Sequence, residues 1–212
     1  MEANRLFSRS TALFLCSLLA VLALPQGLVA QSLYSTSPTD AGTVKVTGTS
    51  DLQEWSMTST AAESQGLFAF DDMNQLRSVS SLKFTLGAET LKSGLRAMDR
   101  KAYKALKSGK FPDIRFTLDS AVVKPGQTNP YLVRATGGLT IKGVTQPVSL
   151  DLAARVNADG SITLKGTKAL SFSDFYIKKP SFMGGVMQAG NDIEVAIALT
   201  YSPKAQITLE AR

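Results

Sequence analysis

The sequence predicts a mainly β, antiparallel protein carrying one short helix. Three observations support this. Apolar and polar residues alternate with period two in about eight segments. Turn-forming residues separate those segments. One basic stretch, MDRKAYKALK from Met98 to Lys107, has helix-favouring composition instead. Alternation of this kind gives each strand one buried and one wet face. A sandwich and a closed barrel both satisfy it, and periodicity alone leaves the two open.

Residues 1–30 read as a secretory signal. Arg5 and Arg9 precede an apolar run from Leu13 to Leu24, followed by Pro25 and Gly27, with cleavage expected near Ala30. The run falls short of the roughly 20 residues a spanning helix needs. Cys16, the single cysteine, sits in that run behind the bulky Phe14 and Leu15, so it reads as a signal-sequence residue and not a lipidation site. After cleavage no thiol remains for disulfide or nucleophilic chemistry. The chain is therefore expected to be exported, to the periplasm or beyond. Residues 31–42 read as a linker, 43–202 as the β domain and 203–212 as a C-terminal tail.

The strands follow in order. Val44 and Val46 alternate with Thr and Lys, and Trp55 and Met57 with Ser and Thr. Leu82, Phe84 and Leu86 share one face opposite Lys83 and Thr85. Ile114, Phe116, Leu118 and Val122 oppose Arg115, Thr117 and Asp119. Val133, Ala135, Leu139 and Ile141 share a parity, with Gly137 between them. Val148 to Val156 alternates, the turn ADGS (Ala158 to Ser161) follows, and Ile162, Leu164, Leu170 and Phe172 come next. Ile193 to Tyr201 closes the set. Small residues (Gly48, Ala135, Gly137, Gly143, Ala154, Gly166) join the inward set, either interdigitating with large neighbours or leaving room. An eight-stranded barrel can be filled or hold one small ligand. Continued parity would also turn Lys168 inward, although a bulge at Gly166 is the expected escape. Pro112 disfavours helical geometry at Phe111 and returns the chain to extended structure.

Composition excludes several chemistries. The chain has no histidine, which removes Ser-His-Asp and Cys-His catalysis and the usual zinc sites. Asp71-Asp72, behind Phe68 and Phe70, reads as turn chemistry and not as a catalytic pair. No cofactor is expected. A formal net charge of +6 in an exported chain points to anionic lipid surfaces as neighbours and not to nucleic acid.

Three motifs carry a family resemblance. They are VKVTGTSDLQEWSM, LKSGLRAMDRKAYKALKSGKFPDIRF, and GGLTIKGVTQPVSLDL followed by LSFSDFYIKKPSFMGGVMQAGNDIEVAIAL. Their order and spacing resemble the YceI-like family of exported lipid-binding proteins from about Thr43 to Tyr201. Gln53 takes a place often held by histidine, and the family's usual tyrosine-Ile-Asp-x-x-His-Ser opening is absent.

The resemblance implies an extended, lipocalin-like, eight-stranded antiparallel barrel with one short capping helix, on which Met98, Tyr103 and Leu106 would face the barrel. It implies a non-enzymatic protein whose apolar cavity holds an isoprenoid, isoprenoid quinone or fatty-acyl chain. The cavity residues carried over are Trp55, Phe70, Phe84, Phe116, Leu118 and Leu139. Leu150, Phe172, Phe175, Phe182, Met183 and Met187 complete them. Lys168, Tyr176, Lys178 and Lys179 are candidates at the mouth. Peripheral contact with an anionic membrane and a homodimer are open partners. The alternative is an envelope barrel with a filled interior and a basic outer face.

Overall fold

Period-two alternation resolves into a closed antiparallel barrel with one helix. The structure is a computed structural model that describes residues 31–37, 41–51, 53–124, 129–182 and 187–204. The proposed signal, and all of the tail beyond residue 204, lie outside the described residues. The strands are β1 (Gln31–Thr36), β2 (Gly42–Ser50), β3 (Glu54–Ser59), β4 (Ala62–Phe70), β5 (Leu76–Gly87) and β6 (Asp113–Val123). After them come β7 (Tyr131–Ile141), β8 (Val144–Val156), β9 (Ile162–Ser171), β10 (Ser181–Phe182) and β11 (Met187–Pro203). Helix α1 (Arg96–Leu106) stands between β5 and β6.

Pairing runs β1-β4-β5-β6-β7-β8-β9-β11 and returns from β11 to β1, closing eight staves. Two of the staves are composite. Thr36 pairs with Tyr201 and Gly42 with Leu199, so β2 continues the line of β1 along β11. Ser35 pairs with Gln65 and Val44 with Ser59, so β3 likewise runs on into β4.

The sequence reading needs four corrections here. Gln31–Thr36, expected in a linker, is a strand, and its Tyr34 is buried. β4 was not foreseen, because its inward positions, Ala62, Ser64 and Gly66 ahead of Phe68, carry almost no hydrophobic signal. In β6 the register shifts between Leu118 and Ser120, leaving Asp119 as an extra residue. That bulge reverses parity, so Ala121 and Val123 pack on the core while Val122 faces solvent. Gly143 is not inward: with Lys142 it makes the β7–β8 turn at φ of +54° and +77°, a pair of positive values suited to a type I′ hairpin.

One end of the barrel is packed solid. Tyr34 meets Phe68 edge-on at 5.2 Å, and Phe68 meets Tyr201 at 5.6 Å. The Tyr201 hydroxyl lies 2.8 Å from Ser64 Oγ, which also donates to the carbonyl of Lys83. Burial pushes the Tyr201 phenol up to about 12, so it stays a neutral hydrogen-bonding group.

Gly137 shows how tightly the wall is drawn. A Cβ there would stand 2.1 Å from the Thr117 carbonyl oxygen and under 3 Å from the Phe116 ring. Gly137→Ala is expected to destabilise the fold by about 1–3 kcal/mol in urea unfolding. Gly109→Ala, where an added methyl meets nothing within 4 Å, is expected to stay within about 0.5 kcal/mol.

Candidate ligand-binding cavity

The interior of the barrel is not filled. Above the aromatic layer lies a cavity of about 190 Å³ with an almost wholly apolar wall. Several inward residues, including Phe84, Leu118, Leu139, Leu150, Val195 and Ile197, are only partly buried although they face the centre. Open space beside them accounts for that.

Local sequence explains how the wall is built. Trp55 lies flat across Gly48, where a Cβ would stand 2.4 Å from the indole ring. Its Nε1 donates to the Thr49 carbonyl at 2.9 Å, and its ring stacks on Phe172 at 6.4 Å. Phe172 opens a short helical turn, Phe172–Phe175, whose aromatic residues are both buried. Ser171 and Asp174 cap that turn reciprocally. On β5, Ser81 at φ +50° accompanies a register shift that turns both Val79 and Leu82 inward.

The open end is covered by α1. Met98, Ala102, Ala105 and Leu106 fall at i, i+4, i+7 and i+8 and line the cavity. Tyr103 acts differently from the expectation of a plain stripe. Its hydroxyl donates toward the carbonyls of Leu91 (2.7 Å) and Glu89 (3.0 Å) and accepts from Lys92 Nζ (2.8 Å). Lys92 in turn bridges to Thr58 of β3 through backbone hydrogen bonds. Asp99, buried on the same helix, accepts from the Ser93 amide (2.9 Å) and hydroxyl (2.6 Å). The helix ends at Leu106, with Lys107 in the left-handed conformation. Phe111 then packs its ring against Gly143 and fixes the return into β6.

Of the residues expected in the cavity, Trp55, Phe84, Phe116 and Leu118 line it, as do Leu139, Leu150, Phe172 and Phe175. Phe70 does not. It packs beside Tyr34 at 6.2 Å, because it ends β4 beyond the solid end of the barrel. Phe182 and Met187 pair through their backbones in β10 and β11, and Met183 lies outside the described residues. Sequence reasoning missed Ala102 and Ala105, whose small side chains give no hydrophobic signal, and Ile177 and Pro180 beyond the short turn.

Lys168 joins the wall. The β9–β11 register runs without a shift from Ile162 to Ser171, so the expected bulge at Gly166 is absent. Gly166 instead leaves space for Leu152, whose Cδ2 would be 2.6 Å from an added Cβ. Asp71 is a turn residue as expected, accepting from the amides of Met73 and Gln75 and pairing with Arg77. Among the described residues no helix is long and apolar enough to cross a membrane.

An eight-staved antiparallel barrel closed at one end and lidded by a helix over an apolar chamber defines the class of protein. The family model of the YceI-like domain matches residues 34–201, and the chain belongs to that family. Solved structures agree on the fold. BcnA of Burkholderia cenocepacia aligns with a TM-score of 0.61 at 14% identity, covering 79% of this chain and 99% of its own. A polyisoprenoid binding domain from Saccharophagus degradans, implicated in plant cell wall breakdown, aligns at 0.58 and 11%, covering 83% and 99%. A YceI protein of Campylobacter jejuni aligns at 0.50 and 19%, covering 68% and 82%. A comparison with curated proteins finds no match.

The Asp99 tether has a pH signature. Hydrogen bonds from the Ser93 side chain, then from its backbone, hold the carboxyl below the usual range against the opposing effect of burial. A depressed native pKa contributes stability fully above the ordinary carboxylate value, about 3.9, and loses it as pH falls through the lowered native value. Amide exchange of Arg96–Leu106, corrected for intrinsic rates, should therefore accelerate relative to the barrel strands across that acid window. Asp99→Ala should show the faster exchange already at neutral pH. Equal protection of helix and wall throughout would refute the tether.

Proposed function

We propose that the chain is a non-catalytic carrier of an amphiphile with a long apolar tail, of isoprenoid, isoprenoid-quinone or fatty-acyl type. It would work outside the cytoplasm after removal of residues 1–30. The observation that carries this reading is the lidded apolar cavity of about 190 Å³. By the same volume measure a single water needs about 10–15 Å³, so the chamber has room for on the order of a dozen water-sized groups. A methylene is of roughly that size, and each one moved from water into an apolar site contributes about 0.8 kcal/mol. Ten methylenes give roughly 8 kcal/mol gross, near micromolar before the costs of ordering are subtracted.

The reading also draws on relatives. The Saccharophagus degradans neighbour is a polyisoprenoid binding domain, and the shared fold extends that type of ligand to this chain as a proposal. The filled-barrel alternative needs an interior without room, and the cavity speaks for the carrier instead.

Native mass spectrometry of the purified protein, followed by organic extraction, tests the proposal. A bound mass that extracts as a prenyl or acyl lipid is expected. A protein that arrives empty and refuses added farnesol and palmitate would overturn it. Ala135, small and inward on β7, offers a second test. Ala135→Phe should fill the chamber and abolish co-purifying lipid while the barrel still folds, at a cost of about 1–3 kcal/mol.

A further inference from the structure

The cavity wall is not hydrogen-bonded all the way round. β8 and β9 are paired only from Leu152–Gly166 to Val156–Ile162. Beyond that point the hairpin splays, and Val144–Asp151 and Thr167–Ser171 make no strand pairing with each other. The Phe172–Phe175 turn wedges the far end of the splay, where Gln146 Nε2 donates to the Asp174 carbonyl at 2.7 Å. The stretch between wedge and paired zone forms a slot. Among the described wall residues Thr167 alone is solvent-exposed, and it stands on the edge of this slot.

Beside Thr167 stands the single charged residue of the described wall, Lys168. It is half-buried and faces Val195 across the β9–β11 pair. It makes no hydrogen bond and no ion pair among the described residues. The carboxylate across the slot, Asp151, is already engaged by Arg134 at 2.8 and 3.2 Å. Asp151 is held below the usual carboxylate range first by that hydrogen bonding, with smaller pulls from Lys124 and Lys168. Lys168 thus sets its stem along apolar surface, and among the described residues the carboxylate that feels its charge, Asp151, is hydrogen-bonded to Arg134 instead. A half-buried ammonium with no direct hydrogen bond or ion pair among the described residues has donors left over for a ligand.

We propose that this slot is the headgroup site of the carrier and that Lys168 selects a ligand with an anionic head, a carboxylate or a phosphate, on a single apolar tail. The inference rests on the carrier reading. The tail occupies the chamber, which the aromatic layer packs at one end and α1 covers at the other, and the head emerges where the described wall meets water. A charge-assisted contact to the ammonium, partly shielded from bulk water, should favour an anionic head over a neutral one by about tenfold or more.

The test uses the purified full-length mature protein and two matched pairs of probes: palmitate with cetyl alcohol, and farnesyl phosphate with farnesol. Competition within each pair is read by native mass spectrometry. The expected result is a preference of about tenfold or more for at least one anionic probe over its alcohol. Which anion shows it separates a fatty-acid carrier from a prenyl-phosphate carrier. Lys168→Met should erase the preference while alcohol binding persists, and Lys168→Arg should retain it. Equal binding of acid and alcohol in the unmodified protein, or a preference that survives Lys168→Met, overturns the headgroup site and leaves the carrier standing. Refusal of all four probes overturns both.

Discussion

The barrel depends on its closed ladder of backbone hydrogen bonds, which lets part of an apolar interior stay open. In most small domains packed side chains in the core fix the fold, and a void of this kind destabilises it by roughly a few kcal/mol. Here part of the centre is left open, and the closed wall adds to what the packed inward residues supply. Eight staves pair edge to edge around the circumference. An aromatic layer of Tyr34, Phe68 and Tyr201 seals one end. Gly48, Gly137 and Gly166 let rings and backbone approach the wall more closely than any side chain would allow. These features share one consequence: the wall is tight where it is made of backbone and roomy where it is made of side chains.

Much of this was legible in the sequence because inward strand positions are apolar and outward ones polar. β5, β7, β8, β9 and β11 announce themselves that way. β1 and β4 do not. In β4 the inward faces are Ala62, Ser64 and Gly66, whose burial owes more to closing the barrel than to their own hydrophobicity. Periodicity also assumes an unbroken ladder. The extra residue at Asp119 inverted the parity of Val122, and no local composition marks that bulge. Conversely, glycine was a misleading sign at Gly166, where it accommodates Leu152 and leaves the register intact.

The site was legible in its large residues and not in its small ones. Among the described side chains, the expected aromatic and leucine positions point into the chamber, apart from Phe70, which lies past the end that Tyr34 closes. The lid was visible as a helix, yet the residues that meet the cavity include Ala102 and Ala105, and Tyr103 and Asp99 serve to tie it down. Such tethers pair residues through tertiary distance, as Tyr103 does with the backbone of Glu89 and Leu91, and no spacing rule shows them. The splay between β8 and β9 is likewise invisible to pattern, since Val148 and Leu150 keep the alternation of β8 after the strands part.

The chain has a single tryptophan, and it is Trp55. Its indole lies in the chamber wall, parallel to Phe172, and its Nε1 is committed to the Thr49 carbonyl. With that hydrogen bond and the Phe172 stack fixed, whatever fills the space beside the ring is a variable part of its surroundings. Water there lowers the energy of the emitting state; an oily chain does not. The molecule therefore carries its own optical gauge of occupancy, built from the same Gly48–Trp55 contact that braces the wall.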